Sequence, residues 1–95
     1  MRLTNKPISA EDYLKLGSVM AEKGDYIEAA ANYSQALLLT PENAHIYANR
    51  GLARISIGDY RGAFEDYQMA AKLFLEQGNI VNHQVALGYI QKLQS

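Results

Sequence analysis

His45 and His83 are the only histidines of this 95-residue chain, and it has no cysteine. A structural or catalytic metal needs three or four nitrogen, sulfur or oxygen ligands held together. Neither histidine has a second ligand at metal spacing. Glu42 lies three residues before His45, but in a turn, and one carboxylate with one imidazole makes a poor site. Both histidines therefore read as exposed polar residues, with no metal expected. The absence of cysteine removes thiol catalysis, disulfides and Cys-based zinc sites, and suits a reducing compartment. Gly24 and Gly58 each stand alone, so no glycine-rich phosphate cradle is expected. Asp59-Tyr60-Arg61 and Glu65-Asp66 read as a helix cap and a solvated helix face. Lys15, Lys23, Arg61 and Lys72 are scattered, while Arg50 and Arg54, one helical turn apart, would form a small basic spot. Aromatic platforms beside that spot are missing, so no nucleic-acid partner is expected. No cofactor and no enzymatic activity are expected either, because no catalytic constellation is present.

The bulk composition agrees. The chain is 48% hydrophobic and 20% charged with a formal net charge of -1, which suits one ordinary folded domain. Nothing concentrates positive charge as phosphate binding requires. The longest strictly apolar run, around Ala36 to Leu39, falls far short of the roughly 20 residues that span a bilayer, so no membrane insertion is expected. Met1–Pro7 lacks the apolar run and cleavage site of a signal peptide. A cytoplasmic location is the default expectation.

The elements behind these residues repeat. Gly24-Asp25-Tyr26 recurs as Gly58-Asp59-Tyr60, 34 residues later. The same offset carries Tyr13 to Tyr47, Gly17 to Gly51, Ala29 to Ala63, Tyr33 to Tyr67 and Ala36 to Ala70. Two unrelated amphipathic hairpins would not keep glycines and tyrosines in one register.

Each unit reads as two helices. Ser9 with Asp12 can cap the first, whose face carries Tyr13, Leu16, Gly17 and Met20. Gly24 breaks it, and Asp25 with Glu28 can cap the second, with a stripe of Ala29, Ala30, Tyr33, Ala36 and Leu37. Thr40-Pro41-Glu42-Asn43 supplies a stop and turn. The second unit repeats the plan, with a helix over 44 to 57, a break at Gly58 and a cap at Asp59. It then runs on through Lys72, Leu73 and Phe74 to Glu76, because Leu75 stands where the first unit has Pro41. Gln77-Gly78-Asn79 breaks it, with Asn79 as the next N-cap, and Ile80, Val81, Val85, Ala86, Tyr89, Ile90 and Leu93 give a last amphipathic helix. Its outer side would carry Asn82, Gln84, Gln91 and Lys92 and close the open end of the stack. Mid-helix Gly17 and Gly51 cost about 1 kcal/mol each relative to alanine. They predict close helix approach, with Ala29 and Ala63 on the facing helix. Tyr33 and Tyr67 read as packing residues, a ligand-stacking role being the alternative.

This pattern resembles the tetratricopeptide repeat (TPR) over about residues 10 to 77. Tyr13, Leu16, Gly17, Met20, Gly24, Tyr26, Ala29, Tyr33, Ala36 and Pro41 match its signature. So do Tyr47, Gly51, Gly58, Tyr60, Ala63, Tyr67 and Ala70. The second unit also looks like TPR segments of cyanobacterial and other bacterial proteins. Arg50 at a leucine position, Arg54 and Met20 at an aromatic one, and Leu75 for proline depart from the motif. They point to an altered second unit and a changed junction to the last helix.

The resemblance implies an all-α superhelix in one domain. Its parts would be a repeat over about 10–43, a second over about 44–77 and a capping helix over about 79–94. First helices would line a concave groove holding a peptide or an amphipathic helix. Mapped here, that groove is Glu11, Leu14, Lys15, Ser18, Ala21 and Glu22, then His45, Ala48, Asn49, Leu52, Ile55 and Ser56, then Asn79 and His83. One subgroup grips a C-terminal carboxylate with lysine, asparagine and arginine. Here Asn49 fits one such position, but Leu14, Ser18, Asn79 and His83 fill the others, and the charge-assisted donors are gone. An apolar strip of Leu14, Ala48, Leu52 and Ile55 remains. A partner, the last helix or a second copy could cover Leu52 and Ile55. The expected function is thus a non-catalytic scaffold binding a protein or peptide. A self-associating module or a piece of a longer array is the alternative, although the Met1 start and a closing helix before Ser95 suit a complete small protein.

Overall fold

Starts and stops written into the chain divide it into helices. The computed structural model describes residues 8–95, so the signal-peptide reading of Met1–Pro7 lies outside the described residues. Among the described residues there are five helices and no strand: α1 (Ala10–Glu22), α2 (Tyr26–Leu39), α3 (Ala44–Ser56), α4 (Tyr60–Glu76) and α5 (Ile80–Gln94). The expected all-α class and hairpin architecture are what the chain adopts.

Four starts use a side-chain cap for otherwise unpaired backbone N–H groups. Ser9 Oγ accepts from Asp12 N–H while the Asp12 carboxylate accepts from Ser9 N–H, both at 3.1 Å. Asn43 accepts from His45 N–H at 3.0 Å, Asp59 from Gly62 N–H at 2.9 Å and Asn79 from Asn82 N–H at 3.2 Å. Asp25 makes no side-chain cap bond, so the expected Asp25–Glu28 box does not form. Backbone bonds hold that start instead, Ala29 N–H donating to Asp25 O at 2.9 Å.

Three stops share one device. Gly24, Gly58 and Gly78 have φ of 84°, 81° and 76°, a region that only glycine enters without strain. The N–H after each glycine reaches back to a carbonyl five residues earlier: Asp25 to Met20, Asp59 to Arg54 and Asn79 to Phe74, each at 2.8 Å. These are Schellman closures.

Short turns make α1 with α2 and α3 with α4 hairpins, while α2 packs on α3 and α4 on α5. Two apolar clusters run through the stack. Ala29, Tyr33, Ala36, Leu37, Ile46 and Ala53 form one, and Ala44, Tyr67, Ala70, Ala71, Leu73, Phe74 and Ala86 the other. Leu16, placed by periodicity on the buried face of α1, is 44% exposed. Its counterpart 34 residues on is Arg50, which turns toward α2. Leu16 and Val19 occupy the same side of α1, where no preceding hairpin lies among the described residues. Tyr60, 59% exposed, also departs from its counterpart Tyr26, which is partly buried. Ser56 and Ile57 lie beside Tyr26, while Leu93 and Gln94 flank Tyr60.

The mid-helix glycines set the hairpin spacing. A Cβ on Gly17 would stand 2.5 Å from Tyr33 Cε1, and one on Gly51 2.9 Å from Tyr67 Cε2. Both rings are buried and lack room to retreat. Overpacking of this kind costs about 1–3 kcal/mol, against ~1 kcal/mol regained in helix propensity. Gly17→Ala is therefore predicted to lower stability by about 1–2 kcal/mol, with a smaller loss for Gly51→Ala. Denaturant unfolding measures both, and a higher midpoint for Gly17→Ala would contradict the packing argument.

Candidate functional site

The junction between α4 and α5 decides where the concave surface lies. Pro41 ends the first hairpin, but Leu75 lets α4 continue, so α4 has 17 residues against 14 in α2. That extra turn changes the register of α5. A cavity of about 160 Å³ opens between α3 and α5, with α4 behind it. His45, Ala48, Asn49 and Leu52 line it from α3, and Asn82, Val85, Ala86 and Tyr89 from α5. Each of these α5 residues stands 37 positions after one of the α3 residues, not 34.

The groove residues expected on α5 follow from the wrong offset. Asn79 caps α5, its side-chain oxygen accepting from Asn82 N–H. His83 is turned to α4, with Nδ1 2.8 Å from Ala71 O. Neither lines the cavity, and Asn82, assigned to the outer side, does. Gln84, Gln91 and Lys92 are exposed as expected, but Ile80, Val81 and Val85, read as part of the apolar stripe, are each more than half exposed as well.

The other expected groove residues divide by burial. Glu11, Lys15, Glu22, His45, Leu52 and Ser56 are exposed, while Leu14, Ser18, Ala21, Ala48, Asn49 and Ile55 are partly buried. Leu14 and Ala21 pack against the first cluster, Ala48 and Ile55 against the second. Ser18 Oγ is 3.4 Å from Tyr33 Oη, so part of its polarity is spent inside the hairpin. Lys15 lies in a shallow outer depression with Asp12, Leu16 and Val19. Leu52 is half exposed at the cavity rim.

Aromatic rings form the cavity wall. Tyr67 and Tyr89 stack with centroids 4.6 Å apart and planes 7° from parallel, and His45 meets Phe74 edge-on at 4.9 Å. Burial, helped by the neighbouring Tyr89 and Asp66, pushes the Tyr67 phenol far above its ordinary pKa, so it stays protonated. No Asp, Glu, Lys or Arg lines this cavity. It suits an apolar side chain with hydrogen-bonding groups beside it. Among the described residues, no group of three or more His, Cys, Asp or Glu could hold a metal.

The expected basic spot is an internal ion cluster. Asp66, read as part of a solvated face, is 2% exposed. Arg50 grips it with two bonds, Nε to Oδ2 at 3.0 Å and Nη2 to Oδ1 at 2.7 Å, and Arg54 Nη1 adds one at 2.9 Å. Arg50 Nη1 also donates to Ser34 Oγ at 3.0 Å, which ties α2 to the second hairpin. Two arginines at i and i+4 share a helix face, but a single sequence did not show that the carboxylate 16 residues after Arg50 faces them.

A stack of helical hairpins with a concave side defines the class of α-helical repeat proteins. Residues 17–58 match the family model described as the TPR repeat, and the chain carries the tetratricopeptide repeat. It is similar to tetratricopeptide repeat protein 36 of Homo sapiens, 40% identical over 83 residues, 85% of this chain and 44% of that protein. DnaJ homolog subfamily C member 7 of Homo sapiens is 34% identical over 64 residues, 67% of this chain and 13% of that protein. The TPR repeat-containing thioredoxin TTL4 of Arabidopsis thaliana is 32% identical over 87 residues, 77% of this chain and 13% of that protein. The chain spans less than half the length of these relatives. They come from an animal and a plant, and lend no support to the bacterial likeness of the second unit. TPR proteins generally mediate protein–protein interactions. No described helix is long and apolar enough to cross a membrane.

Removing the shared carboxylate leaves two guanidinium groups without their partner. Breaking a buried ion pair costs about 3–5 kcal/mol, and these arginines are partly open to water. Asp66→Ala is predicted to lose about 3 kcal/mol in denaturant unfolding. A loss below about 0.5 kcal/mol, the size of an ordinary surface substitution, would show that the cluster contributes little.

Proposed function

We propose that this chain is a cytoplasmic, non-catalytic interaction module that holds a peptide or amphipathic helix on its concave side. The observation that carries this reading is the α3–α5 cavity, apolar and aromatic inside, with the Asn49 and Asn82 amides at its edge. Protein-bound peptides commonly bury one or two apolar anchors in such a surface. The sequence from about 10 to 94 acts as one domain, with Glu11, Leu14, Lys15, Ser18, Ala21 and Glu22 extending the surface along α1. With α5 shifted by one turn, the carboxylate-gripping positions there become Asn82 and Ala86 in place of Asn79 and His83. Neither is a cation, which disfavours a C-terminal carboxylate as the main anchor.

Self-association is a second reading, favoured by the exposed apolar residues at the two ends of the stack, Leu16 and Val19 on α1 and Ile80 and Val81 on α5. Light scattering of the purified chain distinguishes it from the first. Affinity capture from the source cell with the wild type and an Asn49→Ala, Leu52→Glu variant tests the groove. The variant should lose the specific partners while keeping its helical circular dichroism. Recovery of the same partners by both proteins would refute the groove assignment.

A further inference from the structure

The two hairpins differ in what meets the hydroxyl of their central tyrosine. In the first, Ser18 Oγ lies 3.4 Å from Tyr33 Oη. Thirty-four residues on, Tyr33 becomes Tyr67 and Ser18 becomes Leu52, which has no group to pair with a phenol. Tyr67 is 3% exposed, and its hydroxyl makes no hydrogen bond to any described residue. No fully buried side-chain nitrogen or oxygen among the described residues lacks a partner, so this phenol is not sealed in. Tyr67 and Leu52 both line the α3–α5 cavity, and the cavity is the open space that the hydroxyl reaches. A polar group in an otherwise apolar interior is costly until a ligand pairs with it.

We infer that the cavity receives the side chain of an unphosphorylated tyrosine of the partner polypeptide, whose phenol pairs with the Tyr67 hydroxyl. The inference rests on the concave side being a peptide groove, and it names the anchor that groove takes. Size, wall chemistry and charge select that side chain. The cavity measures about 160 Å³, and benzene fits an apolar protein cavity of about 150 Å³. Its walls include Tyr67, Phe74 and Tyr89, whose faces and edges pack well against another ring. A single hydroxyl at the tip of the guest ring matches the single unpaired hydroxyl of Tyr67, and a phenol can donate or accept in that pair. A phenylalanine guest would leave Tyr67 unpaired. A phosphotyrosine would give up its water where no Asp, Glu, Lys or Arg lines the wall, with no cation to replace it.

Side-chain analogues are the probes: p-cresol for tyrosine, toluene for phenylalanine and p-tolyl phosphate for phosphotyrosine. NMR titration of the intact chain at pH 8 reads binding at the methyl groups of Ala48, Leu52, Val85 and Ala86. The ratio of p-cresol to toluene affinity should fall about fivefold in Tyr67→Phe, the size of one net hydrogen bond. That variant should keep its helical circular dichroism and its melting temperature, because no internal bond is lost. Leu52→Ser gives Tyr67 the partner that Tyr33 has and should lower the same ratio. p-Tolyl phosphate should bind at least tenfold more weakly than p-cresol. Absence of saturable p-cresol shifts at these methyl groups overturns the inference, as does an affinity ratio unchanged by Tyr67→Phe. Equal binding of p-tolyl phosphate overturns it too. The Asn49→Ala, Leu52→Glu capture does not depend on this ratio, so the groove can stand while the tyrosine anchor falls.

Discussion

A tyrosine ring resting on a bare stretch of helix backbone sets the distance between the two helices of each hairpin. Tyr33 lies over Gly17 and Tyr67 over Gly51, so close that a methyl group at either glycine would overlap the ring. The fully buried alanines Ala29, Ala36, Ala63 and Ala70 accompany these rings on α2 and α4. The stack is narrow as a result, 17 Å along its shortest axis and 57 Å along its longest. Much of the core is small residues in close contact, where dispersion depends on fit. The Asp66 cluster adds a polar tie, with Arg50 reaching both α4 and α2.

The second consequence comes from one substitution in the repeat pattern. Pro41 cannot continue a helix because it lacks the N–H and its ring crowds the preceding turn. Leu75 has neither defect, so α4 gains a turn and the chain leaves it through Gly78. That exit uses the same backbone closure as the turns inside the hairpins. α5 then presents to the concave side residues one turn later than strict repetition dictates. Asn82, Val85 and Tyr89 take the place of Asn79 and His83, and the polarity of the cavity changes with them.

Much of this was legible in the sequence. The 34-residue period, the glycine breaks, the caps at Ser9, Asp59 and Asn79 and the run of α4 to Glu76 all follow from local chemistry with short reach. The extension of α4 was legible too, but its effect on α5 was not carried through, which misplaced Asn79, His83 and Asn82. Asp66 was unreadable for a different reason. A carboxylate on a helix face looks solvated unless the arginines of another helix are known to face it. Leu16 was misjudged because repeat position alone does not say whether a neighbouring helix is present to cover it.

The displaced register of α5 is the claim on which the concave cavity rests, and thiol labelling tests it most directly. The natural chain has no cysteine, so single cysteines can be placed one at a time from 79 to 92 and their reaction rates compared. Slow labelling at positions 83, 86 and 90, with fast labelling at 81, 84 and 88, is the predicted pattern. Fast labelling at 79 and 83 with protection at 84 and 88 would show that α5 keeps the strict repeat, and would contradict the account.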